Sequence, residues 1–236
     1  NGQLGSELKE LASNYPDFEF VFTDLPELDI CDPDSLEALL SGKTFTYIIN
    51  CAAYTAVDKA ESDPETAYKV NALGPANLAE IAARNKIKLI HTSTDYVFRG
   101  DKNEALKEDE VPQPSSVYGK SKLAGEQVVL SSGADSVIIR TSWLYSSFGT
   151  NFVKTILRMS SEKEELKVVN DQYGNPTYAA DLAEVIMRFV IKGIDPGVQV
   201  FHYSNSGEIS WYEFAREIIN YAGRSCRVLP VKTEEY

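Results

Sequence analysis

Three residue types in a fixed relation point first to proton chemistry. Tyr118 and Lys122 form a Y-x-x-x-K within SVYGKSKLAGE, and residues four apart share one face of a helix. A phenol with an ordinary pKa of ~10 is a poor proton relay at neutral pH. An ammonium beside it stabilises phenolate and brings that pKa toward the working range. The run KLIHTST, upstream of that motif, ends in Thr94. At the C-terminal edge of a parallel strand such a hydroxyl faces the crevice where these sheets bind ligands. Together the three make a carbonyl-reduction set: the hydroxyl orients the substrate oxygen, the tyrosine supplies the proton, and the lysine holds the cofactor ribose and tunes the tyrosine. The opening NGQLG fits the cofactor half of this chemistry. Gly2 and Gly5 have the spacing of the last two glycines of G-x-x-G-x-x-G, and the helical pattern Leu4, Leu8, Leu11 follows at once. That fingerprint lets a pyrophosphate approach bare backbone at a helix N-terminus.

Positioning these groups requires alternating strands and helices. EFVFTD (19–24) reads as a strand, and DPDSLEALL (32–40) as a helix capped by Asp32 before Pro33. TYIINCAA (46–53) is a near-continuous apolar run, as expected for a strand covered on both faces. A long helix over 63–85 starts at an Asp63 cap and is followed by the strand 88–94, the helix 116–130 and the strand 136–143. This alternation means βαβ units and a doubly wound parallel α/β sheet. The polar, proline-bearing stretch 98–116 reads as a long surface loop. Later come a helix over 151–165, a strand over 166–171, a turn over 172–178, a helix over 179–192, a strand over 198–205 and a helix over 209–223 with Gly223 as its C-cap. The resulting division is a dinucleotide-binding domain over 1–142, rejoined by about 179–203, and a substrate-binding lobe made of 143–178 and 204–236. A β-strand ending near a further glycine is expected before Asn1, and both ends of the protein are expected to continue.

Composition excludes several classes. The chain of 236 residues carries 35 acidic against 23 basic side chains, a net charge of −12, so it offers nucleic acid or an anionic membrane no basic patch. The scattered Cys31, Cys51 and Cys226 suit buried thiols in a reducing compartment, and two histidines argue against a histidine-rich zinc centre. No apolar run is long enough to span a bilayer and no signal peptide is visible, which points to the cytoplasm. Asp24 follows Gly2 by 22 residues, where an acid binds a ribose 2′-hydroxyl and repels a 2′-phosphate. No Arg or Lys lies between Glu10 and Ser41, so residue logic leans to NADH.

The blocks NGQLG (1–5), NCAAYTAVDKAE (50–61), STDYVFRG (93–100), VYGKSKLAGE (117–126), RTSWLY (140–145), NPTYAADLA (175–183) and HYSNSGEISWYEFA (202–215) span nearly the whole chain. In them the chain resembles the extended short-chain dehydrogenase/reductase family, most closely those members that reduce dTDP-linked 4-keto-6-deoxy sugars. The resemblance implies a Rossmann-like fold and NAD(P)H-dependent reduction of the C4 keto group of dTDP-4-dehydro-L-rhamnose to dTDP-L-rhamnose, the family typically taking NADPH. It makes Tyr118 the proton donor, Lys122 its partner and Thr94 the hydroxyl near the reacting oxygen, with Asp95 beside it at the substrate. Gly2, Gln3 and Leu4 would cradle the pyrophosphate, Asp29 and Ile30 would lie against the adenine, and Ala53, Tyr54 and Thr55 along the cofactor. Trp143 would contact the nucleotide-sugar. Glu7 sits where some members place a metal-binding glutamate, for Mg2+, at a homodimer contact; the alternative is an exposed first-turn Glu favoured by the helix dipole.

Asn71 and Gly74 either anchor the active site through a buried amide or serve helix packing. Asn151 reads as a helix cap, the alternative being a contact with substrate, and His202 as a satisfied strand-end residue. Tyr96, Tyr145, Tyr173 and Tyr178 include candidates for sugar stacking. Two rival functions stay open: a nucleotide-sugar epimerase or 4,6-dehydratase of the same family, and a non-catalytic binding module resembling the regulatory subunit of methionine adenosyltransferase. Thr94-Asp95-Tyr96 lacks the extra acid that dehydratases usually carry.

Overall fold

A computed structural model describes residues 1–101 and 104–235, which form two compact units. Residues 102 and 103 of the expected surface loop, and Tyr236 of the expected lobe, lie outside the described residues.

The first unit comprises Tyr15–Thr141 and Glu184–Tyr203. Its sheet has four parallel strands in the order Tyr47–Asn50, Lys88–Thr94, Ser136–Thr141, Val198–Tyr203. The two central strands bury Leu89, Ile90, Val137, Ile138 and Ile139, the β-branched composition of a strand covered on both faces. Helices begin where the sequence places caps: Asp32 accepts from the Asp34 N–H at 3.1 Å to open Pro33–Leu40, and Asp63 accepts from the Thr66 N–H at 3.2 Å to open Pro64–Tyr68. Leu36, Leu78, Ile81 and Ala82 pack with Leu89, Val129 and Ile138 into one core.

The helix expected over 63–85 is continuous but not uniform. It widens into a π-turn over Lys69–Leu73 before Gly74–Asn85. Pro75 has no N–H to offer the Asn71 carbonyl four residues back, and π-turns recur at functional positions. The helix Val117–Ser131 crosses there on Gly125, where a Cβ would stand 2.2 Å from the Asn71 oxygen.

Two strand expectations need correction. Residues 19–24 form no strand; their backbone finds no ladder partner among the described residues, and Phe18, Val21 and Phe22 stay exposed. Apolar alternation supplies a face, but a strand also needs a neighbour for its N–H and C=O groups. The run 46–53 yields only Tyr47–Asn50, half-buried rather than covered on both faces, because it is the edge of this sheet.

The second unit comprises Asn1–Asn14, Ser142–Ala183 and Ser204–Tyr236. Helices Phe152–Glu162 and Trp211–Tyr221 bury Ile156, Ala215, Ile218 and Ile219 with Leu166 and Val168 of the strand Glu165–Val169, which pairs in parallel with Arg227–Val231. Ser210 and Glu213 form a reciprocal capping box for the helix Trp211–Tyr221, and Gly223, at φ 62°, follows that helix in the left-handed region. Asn1–Asn14 groups with this unit. The helix Gln3–Leu11 turns Gln3 and Glu7 into hydrogen bonds with Leu144, Ser146 and Asn151.

Candidate active site

In the sheet unit, Thr94 ends its strand and caps the short 3-10 turn Asp95–Val97. Its hydroxyl accepts from the Tyr96 N–H at 3.2 Å and donates to Asp95 Oδ1 at 3.0 Å. Ser116 caps the helix Val117–Ser131 by accepting from the Gly119 N–H at 3.1 Å, which fixes Tyr118 in the first turn. Gly119 has no side chain for a reason: a Cβ there would stand 2.2 Å from the Tyr96 carbonyl oxygen. The Tyr96 and Tyr118 rings meet edge to face at 5.5 Å. Four residues on, the buried Lys122 donates from Nζ to the Thr92 carbonyl at 2.7 Å. The structure thus brings Thr94, Asp95, Tyr118 and Lys122 together.

Burial dominates the proton affinities here. Desolvation pushes the Tyr118 phenol up to about 12, with a hydrogen bond from Thr94 pulling back. Desolvation also brings Lys122 down to about 8, Glu126 opposing it. The phenol is not drawn toward neutrality here: burial pushes it up, while the Lys122 ammonium donates one of its hydrogen bonds to the Thr92 carbonyl. The consequence suits reduction, since the phenol stays protonated through neutral pH and keeps a proton to give.

Asp95 is half-buried, and desolvation raises its carboxyl from 3.8 to about 6 against hydrogen bonds from Thr94 and the backbone. A carboxyl whose folded pKa lies above its unfolded value binds more protons folded, so stability falls as pH rises between those values. Asp95→Asn is therefore expected to be more stable than wild type at pH 7, by about 1 kcal/mol. That advantage should shrink toward pH 4. Thermal melts at the two pH values check it; an advantage independent of pH would contradict the assignment.

Asn71, in the π-turn, is fully buried and acts as a bridge. Its Oδ1 accepts from the Tyr54 N–H at 2.8 Å, and its Nδ2 donates to the Tyr54 carbonyl and to Ser121 Oγ, both at 3.0 Å. Ser121 Oγ in turn donates to the Tyr118 carbonyl at 2.7 Å. The loop of Ala53, Tyr54 and Thr55 is thereby tied to the helix that carries Tyr118. The Tyr54 hydroxyl is buried with no protein partner among the described residues. Asp29 accepts from the Cys31 N–H at 2.9 Å, and Asn77 Nδ2 donates to the Ile30 carbonyl at 3.0 Å. Gly74 lets Ile30 pack closely, since a Cβ there would lie 2.5 Å from its Cδ1. Asp24 accepts from the Leu25 N–H at 2.8 Å. His202 stays in its strand, with its ring between the Arg140 guanidinium and the Leu106 carbonyl.

The other unit holds the remaining candidates. Gly2 precedes the helix Gln3–Leu11 with extended backbone and no side-chain cap, and a Cβ there or at Gly5 would meet nothing within 4 Å. Open backbone at a helix N-terminus fits a phosphate approaching Gly2, Gln3 and Leu4. Trp143 adopts φ 45°, a strained value for a bulky residue. It stacks on Trp211 at 3.4 Å, and a Cβ on Gly174 would intrude to 2.6 Å from its ring. Tyr145 stacks on Tyr178 at 5.5 Å, while Tyr173 is exposed. Asn151 caps the helix Phe152–Glu162, accepting from the Lys154 N–H at 3.0 Å.

The family model described as "RmlD substrate binding domain" matches residues 1–236. The chain belongs to the RmlD family. Among its relatives, the dTDP-4-dehydrorhamnose reductase of Aggregatibacter actinomycetemcomitans is 41% identical over 224 residues, covering 94% of this chain and 76% of the relative. The spore coat polysaccharide biosynthesis protein SpsK of Bacillus subtilis is 39% identical over 235 residues, covering 100% of this chain and 81% of the relative. The crystal structure of dTDP-4-dehydrorhamnose reductase from Bacillus anthracis in complex with NADP superposes with a TM-score of 0.94 at 43% identity, covering 100% of this chain and 82% of that one.

The Rossmann-like fold of the RmlD family agrees with the parallel sheet of the sheet unit. The structure lends the Mg2+ expected at Glu7 no support. Glu7 is buried rather than an exposed first-turn residue, and its carboxylate accepts from the Ser146 hydroxyl. No group of three His, Cys, Asp or Glu side chains able to hold a metal occurs among the described residues. No helix among the described residues is long and apolar enough to cross a membrane.

Sequence reasoning missed Asn77, Ser121, Gly119, Gly125, Glu126 and Arg140. Only Glu126 had a local signal, four residues beyond Lys122 on the same helix face.

Proposed function

We propose that this RmlD-family chain reduces the C4 keto group of dTDP-4-dehydro-L-rhamnose to dTDP-L-rhamnose with NADPH or NADH. The observation that carries the reading is the cluster of Thr94, a protonated Tyr118 and a buried Lys122 at the end of a parallel strand. Gly2, Gln3 and Leu4 would take the cofactor pyrophosphate, Asp24, Asp29 and Ile30 its adenosine half, and Ala53, Tyr54 and Thr55 the stretch beyond. The orphaned Tyr54 hydroxyl and the open backbone at Gly2 fit such an occupant. When bound, the reduced nicotinamide supplies the hydride to C4.

Thr94 orients the substrate oxygen and Tyr118 protonates it as charge develops there. Lys122 stabilises the phenolate left behind and holds the cofactor ribose. Asp95 and Trp143 contact the nucleotide-sugar. The relatives named for the same reduction support the substrate class. We further read the protein as cytoplasmic and homodimeric, with 1–142, rejoined by about 179–203, as the cofactor domain and 143–178 with 204–236 as the substrate lobe; sedimentation equilibrium tests the dimer.

The test is a spectrophotometric assay of NADPH and NADH oxidation on the 4-keto sugar made by a dehydratase and a 3,5-epimerase. Stoichiometric consumption is the expected result. Sugar interconversion without net oxidation would mean an epimerase, and no oxidation together with capture of a protein partner would mean a binding module. In the same assay, kcat/KM compares the two cofactors. A preference above about a hundredfold for NADPH, equivalent to about 2.7 kcal/mol, would overturn the role of Asp24 in choosing a ribose hydroxyl.

A further inference from the structure

The helix Val117–Ser131 carries a second buried charge one turn beyond Lys122. Glu126 is wholly buried and receives the Arg140 guanidinium on both oxygens, from Nε at 2.9 and 3.2 Å and from Nη2 at 2.7 Å. Arg140 Nη1 donates to the Glu108 carbonyl at 3.3 Å and faces His202 Nε2 at 3.3 Å, and its guanidinium lies 5.1 Å from the centre of the Phe98 ring. The His202 N–H donates to Glu108 Oε1 at 3.1 Å, and Nδ1 faces the Leu106 carbonyl at 3.2 Å. A neutral His202 with its proton on Nδ1 satisfies both ring contacts.

A buried ion pair is weak grounds for stability, because apolar residues of similar volume often do as well. This pair has a neighbour that an apolar replacement could not serve. We propose that Glu126, held in place by Arg140, is a positioning residue for turnover: it is the counter-charge that keeps the Lys122 ammonium protonated beside Tyr118. The proposal rests on the reductase reading of Lys122.

The groups facing Lys122 come from several elements. The Thr92 carbonyl and His91 belong to the strand Lys88–Thr94, Cys51 follows the strand Tyr47–Asn50, and Tyr118 and Glu126 share its helix. Burial holds His91 well below its usual range and raises the Cys51 thiol to about 12, so both are neutral at pH 7. Tyr118 is neutral too. Among these groups Glu126 alone brings negative charge, and it raises the proton affinity of Lys122 that desolvation lowers to about 8. Arg140, with Glu108 and His202 around it, fixes where that charge sits.

Removing the Glu126 charge lowers the Lys122 pKa further, so activity should fail at a lower pH. The test is the alkaline limb of kcat/KM, with melting temperature measured alongside. In Glu126→Gln the limb should move down by about one pH unit, a tenfold change in proton affinity. The double variant Glu126→Met with Arg140→Met removes both charges without stranding either. It should fold and also move the limb down, since Glu126, one turn on along the same helix, acts on the Lys122 charge and Arg140 is not among the groups that do. Lower kcat or melting temperature with an unmoved limb in either folded variant would make the pair purely structural and overturn the proposal. A wild type that oxidises no NAD(P)H would instead overturn the reductase reading. Titration of the Lys122 ammonium by NMR in wild type and the double variant decides the proposal in that event, an equal pKa counting against it.

Discussion

Replacing Tyr118 by phenylalanine is expected to lower kcat about a thousandfold, equivalent to about 4 kcal/mol of transition-state stabilisation, while cofactor affinity stays within severalfold. The phenol keeps its proton across neutral pH, because burial pushes it up to about 12. Water cannot replace it easily in a position buried this deeply, and Lys122 is engaged with the Thr92 carbonyl. The fold should tolerate the change. The ring packs with Ala60 and Ala67 and against Tyr96, and phenylalanine keeps those contacts. Steady-state kinetics, a cofactor titration and a thermal melt on the same preparation check this outcome. Full turnover in the variant would end the proposed proton transfer.

Gly125→Ala is expected to cost about 3 kcal/mol of stability, the upper end of overpacking effects. The added methyl would lie 2.2 Å from the Asn71 carbonyl oxygen and 3.5 Å from Pro75. Neither neighbour can swing aside, since one is backbone and the other a ring, so the helix Val117–Ser131 must lift off the π-turn. At this chain length the melting temperature should fall by roughly 6–12 °C. Activity should suffer as well, because Asn71 couples that turn to Tyr54 and, through Ser121, to Tyr118. Gly5→Ala is the control: a Cβ there meets nothing within 4 Å, and alanine is the better helix former, so stability should hold or rise. Equal melting temperatures for Gly125→Ala and wild type would show that the crossing is not as close as it stands here.

Much of this could be read from short spacings. Asp32, Asp63 and Asn151 each cap a helix, accepting from an N–H two or three residues on. Such bonds close within a single turn, so local order announces them. The helix Ala179–Lys192 has the bounds its amphipathic pattern gives. Tyr118 and Lys122 share a helix for the same short-range reason. Residues 19–24 mark the limit: Phe20 and Phe22 alternate as a strand would, yet no ladder forms, because strand formation depends on a neighbour and not on the segment alone.

The sequence by itself determined the helix starts, the alternation that makes a parallel sheet, and the residue types for reducing a carbonyl. Those features depend on interactions spanning a few residues. The tertiary structure alone decided which groups leave water and what then faces them. It set Tyr118 high and Lys122 low through desolvation, and joined Glu126 to Arg140, 14 residues apart. It brought Asn71 to Ser121, 50 residues on, and made Gly125 indispensable through a backbone oxygen that no local pattern announces. Burial and long-range contact fix the energy of a charge, and both exist only once the chain has closed on itself.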